Sequence, residues 1–276
     1  MVSVQVGASI AKTVFPLVGP IGMVAVRIAL GTAILVVSMR PWKARITRAA
    51  WPPLVIYGVS VGLMNLFYYL SLSRVPQGIA VAIEFIGPLA VAVLSSRHIV
   101  DLLWVIVAAL ALTLLLPVTH IGVETDLVGV LFALLAGGCW ALYIVYGHKA
   151  GAHLGAHATA VGSVIAASVV VPIGFVSCGT ALLSSSVLIP GLWVAVLATA
   201  LPYTLEMFAL TRLSPRTFGV LMSLEPACGA LIGYVHLHEH LALVQWTAIV
   251  LLVAASIGVT ASASQEQVKR AGECVV

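Results

Sequence analysis

A glutamate stands near the middle of the apolar run at residues 72–94, LSRVPQGIAVAIEFIGPLAVAVL: Glu84. A charge at the centre of such a run costs at least about 2.5 kcal/mol on membrane-insertion scales, so it is a functional candidate by default. Displacing the sequence by 138 residues, half its length, lays this run without gaps on residues 210–232, LTRLSPRTFGVLMSLEPACGALI. Leu72, Arg74, Pro88 and Ala92 then meet Leu210, Arg212, Pro226 and Ala230, and the second run carries its own acid, Glu225. In repeat coordinates the two acids differ by three residues, about one helical turn, and so project from similar faces of equivalent helices. Arg27, in AVRIALG, and Lys12 are the cations at depth; Glu206, in LPYTLEMFALTR, follows Pro202 by four residues. Two cations and up to three acids in one cavity suit a zwitterion, with its ammonium on a carboxylate and its own carboxylate on Arg or Lys. A carboxyl in apolar surroundings also takes up a proton more readily than one in water, as proton exchange requires. Each group has a structural alternative: a buried Glu bonded to a neighbour, an Arg27 ion pair, or Lys12 and Glu206 snorkelling to an interface.

Polar and aromatic residues in neighbouring runs add candidate lining: Asn65, Tyr68, Tyr69, Trp140, Tyr143 and Tyr203. Tyr68 is the repeat counterpart of Glu206, which favours a shared cavity over interfacial belts. Pro76, Pro88, Pro202, Pro215 and Pro226 crowd the same places. Within a span each removes a donor, which leaves a carbonyl to bind a ligand or allows a bend used only for packing. Gly229 and Gly233 form a GxxxG pair after Glu225, which helix packing explains. His236, His238 and His240 cluster with Glu239, but without a further ligand set a solvated loop is expected there rather than a metal. The four cysteines have no metal-ligand spacing and read as small buried residues. No phosphate-binding glycine loop is present, so ATP hydrolysis is unsupported and no cofactor is expected.

The elements that must position these groups follow from composition. With 62% hydrophobic residues, 8% charged residues and a mean hydropathy of +1.16, the chain is a membrane protein. The runs are long and apolar on every face, so they are helices rather than barrel strands. Ten spans are predicted, at 1–18, 20–39, 52–72, 77–96, 101–118, 127–147, 157–177, 187–209, 215–235 and 241–262. The first is short and contains Lys12, so the native start is expected upstream or the helix is strongly shortened. No cleavable leader is visible, and the first span would serve for insertion.

Arg40, Lys43, Arg45, Arg48, Arg97, Lys149, Arg212, Arg216, Lys269 and Arg270 fall on one side of this arrangement. Arg74 stands opposite with Glu124, Asp126 and Glu239. The basic side is cytoplasmic, which places both termini there. The basic residues lie between apolar runs and report topology rather than nucleic acid. Five spans per half is odd, so the second half enters from the opposite side: residues 1–126 and 127–262 form inverted repeats, followed by a cytoplasmic tail at 263–276. Inverted repeats meeting near the midplane are a recurrent carrier architecture.

The strings MVSVQVGASIAK, VRIALGTAILV, VPQGIAVAIEFIGPLAVAVLSSR, GGCWALYIVYGHKAG and ALPYTLEMFALTRLSPRTFGVLMSLEPACGALIG resemble the EamA-type transporters of the drug/metabolite transporter superfamily, in their threonine/homoserine exporter branch. The resemblance spans residues 1 to about 260. It implies ten helices in two repeats, an inner-membrane location, and export of small neutral amino acids coupled to the proton gradient. Other cargo on the same fold, such as aromatic amino acids, purines or drugs, is the alternative. Relatives usually carry more apolar sequence before the MVSVQ-like string, and Gly-Glu where this chain has His238-Glu239.

Overall fold

The computed structural model describes residues 1–44, 46–95, 103–104, 106–108, 110–111, 114, 126–155, 157–202, 205 and 224–273. Regular structure among them is entirely helical. Most of the span expected at 101–118, the end of that at 187–209 and the start of that at 215–235 lie outside the described residues. So do Tyr203, Glu206, Arg45, Arg97, Glu124, Arg212 and Arg216.

Helix α1, Val2–Met39, is two legs joined at Gly19, whose φ of 64° and ψ of 175° are non-helical. Side chains other than glycine's strongly disfavour that conformation. Pro16 and Pro20 flank the joint and remove backbone donors where the helix breaks. The chain reverses here. A Cβ on Gly7 would lie 2.8 Å from Ala198 Cβ, and one on Gly31 would lie 2.8 Å from Thr199 Cγ2. In a straight helix those two glycines would stand about 36 Å apart. The expected break between spans 1–18 and 20–39 is therefore present as a sharp return.

Helix α2, Trp51–Leu72, starts on prolines, which tolerate its first turn. The expected span 77–96 is instead two short helices, α3, Gln77–Glu84, and α4, Ile86–Ser95. Pro88 explains the break, since it has no N–H to give the Glu84 carbonyl one turn back. Helices α5, Leu127–Leu154, and α6, His157–Cys178, follow. Helix α7, Ser185–Ala195, passes into a π-helical turn, Val196–Ala200. Helix α8, Glu225–Leu237, ends on His238 with φ of 55°. Helix α9, Leu243–Glu273, runs past 262 into the expected tail as far as Glu273, where Gln, Glu, Lys and Ala favour continued helix.

Among the described residues, four segments are long and apolar enough to cross a membrane: Val2–Met39, Arg48–Leu72, Leu127–Leu154 and His157–Leu183. Gln77–Val91, Ser185–Ala200 and Leu243–Gly258 are shorter apolar helices. Large apolar side chains such as Leu131, Leu142, Phe175 and Val176 point outward, as lipid contact requires. Inside, where lipid leaves little hydrophobic drive between helices, small residues permit close crossing. A Cβ on Gly78 would lie 2.6 Å from Ala230 Cα, so α3 and α8 meet almost backbone to backbone. Gly87 and Gly137 make the same kind of approach between α4 and α5.

Asp126 caps α5 by accepting from the Val128 N–H at 2.8 Å, and it pairs with Arg74 at 2.5 Å. The Arg74 guanidinium and then the Val128 N–H hold its carboxyl below the usual carboxylate range. A lowered folded pKa stabilises the fold above the unfolded value and ceases to do so as pH falls through the folded one. Asp126→Asn should therefore melt slightly below the parent in detergent at pH 7, with the gap closing at acid pH. A gap independent of pH would refute the ion pair's contribution.

Candidate functional site

Arg27, on the second leg of α1, is only 7% exposed. Its guanidinium is held by three groups. Nη2 donates to the Ala198 carbonyl at 2.8 Å, Nε to Thr199 Oγ1 at 3.3 Å, and Nη1 to Tyr69 Oη at 3.3 Å. The cation also lies 5.4 Å from the centre of the Tyr69 ring. Pro202 accounts for the first contact: four residues beyond Ala198, it has no N–H to satisfy that carbonyl. The Leu201 N–H reaches back to the Val196 carbonyl instead, widening the turn and turning Thr199 toward Arg27. All three partners are neutral. Among the described residues, two of the five guanidinium N–H groups remain for an anion.

The two acids are buried as well. Glu84, at the break between α3 and α4, and Glu225, at the start of α8, are each 7% exposed. Glu84 lies within electrostatic range of both Glu225 and Arg27. Tyr68, also 7% exposed, lies within range of Glu84, Glu225, Tyr69 and Arg27. Its hydroxyl has no hydrogen-bond partner among the described residues. The structure thus gathers Arg27, Glu84, Glu225, Tyr68 and Tyr69 into one buried polar centre. The ion pairs found among the described residues, Lys12–Glu239 and Arg74–Asp126, lie elsewhere. Arg27 is therefore not spent on a structural carboxylate there.

The remaining expected residues fall differently. Trp140 meets Phe85 edge-on at 5.8 Å, so it packs on the residue next to Glu84. Asn65 is buried, but its amide donates to the Val61 carbonyl of its own helix at 2.8 Å. Tyr143 contacts Tyr57 at 5.3 Å and belongs to the cluster of Ala50, Leu54 and Ala150, toward the basic end. Tyr203 and Glu206 lie outside the described residues.

Gln5, Gln77 and Glu239 adjoin the centre and were not singled out for it, whereas Lys12, expected as the second cation of the cavity, pairs with Glu239 instead. Gln5 Nε2 donates to Glu225 Oε1 at 3.3 Å, and Gln77 Nε2 donates to Gln5 Oε1 at 2.9 Å. The Gln77 N–H in turn reaches Glu239, which pairs with Lys12. Glutamines carry no charge to betray them in an apolar run. Their signal is the near-complete burial of Gln5 and Gln77, which only the fold reveals.

Residues 127–261 match the model of the EamA-like transporter family. The threonine/homoserine exporter RhtA of Salmonella typhimurium (strain LT2) is 52% identical over 271 residues, covering 98% of this chain and 92% of that protein. The Escherichia coli (strain K12) protein of the same name is 52% identical over 266 residues, covering 96% and 90%.

The chain belongs to the EamA-like transporter family.

A solved crystal structure aligns over 95% of this chain and 98% of its own with a TM-score of 0.55. Its 17% identity makes that a likeness of fold alone. Membership in a transporter family accounts for a buried centre of charged groups. It also makes this a multi-pass membrane protein whose work is translocation rather than catalysis.

Proposed function

We propose that this protein is an inner-membrane secondary transporter that exports threonine, homoserine or similar small neutral amino acids in exchange for protons. The observation that carries the substrate class is 52% identity, over nearly the whole chain, to threonine/homoserine exporters. What supports the mechanism is the convergence of Glu84, Glu225 and Arg27 in one buried centre. The substrate carboxylate bonds to the two remaining N–H groups of Arg27, and its ammonium sits on Glu84 and Glu225. Tyr68 offers its hydroxyl to the same ligand. When the substrate leaves outward, protons take its place on the acids, and the neutralised site returns.

The frame of this reading is ten spanning helices as inverted repeats, 1–126 and 127–262, with both termini cytoplasmic. The reversal at Gly19 supports two spans within α1. The close crossing of α3 and α8 at Gly78 and Ala230 is the meeting expected of helices 4 and 9. The basic residues Arg40, Lys43, Arg48 and Lys149 mark the cytoplasmic end.

Cells preloaded with labelled threonine should release it faster when the chain is expressed, and an uncoupler should remove the difference. Efflux that ignores expression would overturn the substrate class, and a substrate panel with aromatic amino acids and purines would then locate the cargo. Efflux that ignores the uncoupler would overturn the coupling.

A further inference from the structure

We infer that Lys12 and Glu239 form the extracytoplasmic gate of this transporter, and that Gln5 and Gln77 tie the gate to the substrate acid Glu225. This deepens the function proposed above and rests on its placement of the loops. Lys12 Nζ donates to Glu239 Oε1 at 2.7 Å and to the Val75 carbonyl at 3.2 Å. The other oxygen, Oε2, accepts from the Gln77 backbone N–H at 2.7 Å. That N–H belongs to the first residue of α3, where the helix itself supplies no acceptor. One carboxylate thus fastens three separate pieces: the first leg of α1, the turn into α3 and the turn after α8. All three meet at the end of the molecule that carries Arg74 and Asp126, opposite the basic end.

Beneath the clasp lies a plug. The Gln77 side-chain amide donates to both the Gln5 carbonyl and Gln5 Oε1, each at 2.9 Å, and Gln5 Nε2 continues to Glu225 Oε1 at 3.3 Å. Gln77 is 0% exposed and Gln5 2%, so both side chains are shut off from solvent. The face of α8 that receives them is Glu225, Gly229 and Gly233, four residues apart and about 6 Å per step. A Cβ on Gly229 would lie 3.2 Å from Gln5 Oε1, and one on Gly233 would lie 2.5 Å from Glu239 Oε2. The glycine pair therefore does more than let helices approach: it makes room for the plug and for the returning carboxylate. A change of partner on Glu225, proton for ammonium, moves the Gln5 amide. Gln77 is fixed to that amide by its side chain and to Glu239 by its backbone, so it passes the change to the clasp.

Val81 reports the state of this passage: it is 2% exposed and packs on Gly229 at the level of Gln5. In a background with all four native cysteines replaced by alanine, Val81→Cys is treated in intact cells with a membrane-impermeant maleimide. The clasped protein should label slowly. Adding Glu239→Gln or Lys12→Met should raise the labelling rate at least about tenfold, Lys12→Arg should leave it near the parent, and Gln5→Ala, with the ion pair intact, should also raise it. Membrane content of each variant is read by immunoblot, and any one of the three opening variants that accumulates is sufficient to decide. Labelling unchanged when the ion pair or Gln5 is removed, or raised only from the cytoplasmic side in inverted vesicles, overturns the gate. Labelling does not depend on the cargo. Gated labelling without threonine efflux would overturn the transport reading alone, and threonine efflux without gated labelling would overturn the gate alone.

Discussion

In proteoliposomes, Glu84→Gln and Glu225→Gln each reduce threonine counterflow at least about tenfold and flatten its dependence on pH. The amide keeps the size of the acid and an acceptor oxygen, but it can neither bind a proton in exchange nor neutralise an ammonium. An ammonium–carboxylate contact in a buried site contributes on the order of 1.5–3 kcal/mol, which is roughly ten to a hundredfold in affinity. Glu84 lies within electrostatic range of both Glu225 and Arg27, so the losses will not add. The double variant should be little worse than the more damaging single one. Counterflow that kept its rate and pH profile in both single variants would end the exchange mechanism.

Arg27→Lys is the second large effect, although it preserves the charge. An ammonium cannot reproduce the planar fork that reaches Ala198, Thr199 and Tyr69 at once, and it presents no paired N–H groups to a carboxylate. The substrate concentration giving half-maximal efflux should rise about tenfold or more. Arg27→Met should abolish transport and lower the melting temperature, because the Ala198 carbonyl then loses its donor inside the protein. The discriminating measurement is the concentration dependence in Arg27→Lys. A lower melting temperature with unchanged half-saturation would assign Arg27 to packing alone.

Charge in an apolar background was what made the candidate centre legible in sequence. Glu84, Glu225 and Arg27 stand out because few other residues of their kind occur at depth, and the structure brings these three together. The break expected between spans 1–18 and 20–39 falls at Gly19, and the reversal is there. What stayed hidden depends on distance along the chain. Lys12 and Glu239 are separated by 227 positions and meet only because the first leg of α1 crosses the end of α8. Glu239 among three histidines read as a solvated loop, yet its carboxylate folds back over Gly233. The repeat linked Tyr68 to Glu206, but Asn65 could not be excluded from the lining by composition, since bonding to its own helix leaves no trace in residue type. The break at Phe85 was open to reading from Pro88, whereas its consequence, a glutamate at a helix end rather than mid-helix, needed the fold.

The contact between Arg27 and the Ala198 carbonyl has a consequence for how this chain can change over evolutionary time. The partner of the guanidinium is a backbone atom, so the identity of residue 198 is almost irrelevant to it. What the contact requires is the missing hydrogen at Pro202. Were position 202 to regain an N–H, the turn could close on itself as ordinary α-helix and withdraw the oxygen that Arg27 uses. The two positions whose substitutions should be tied together are thus 27 and 202, a pair linked through a carbonyl that belongs to neither.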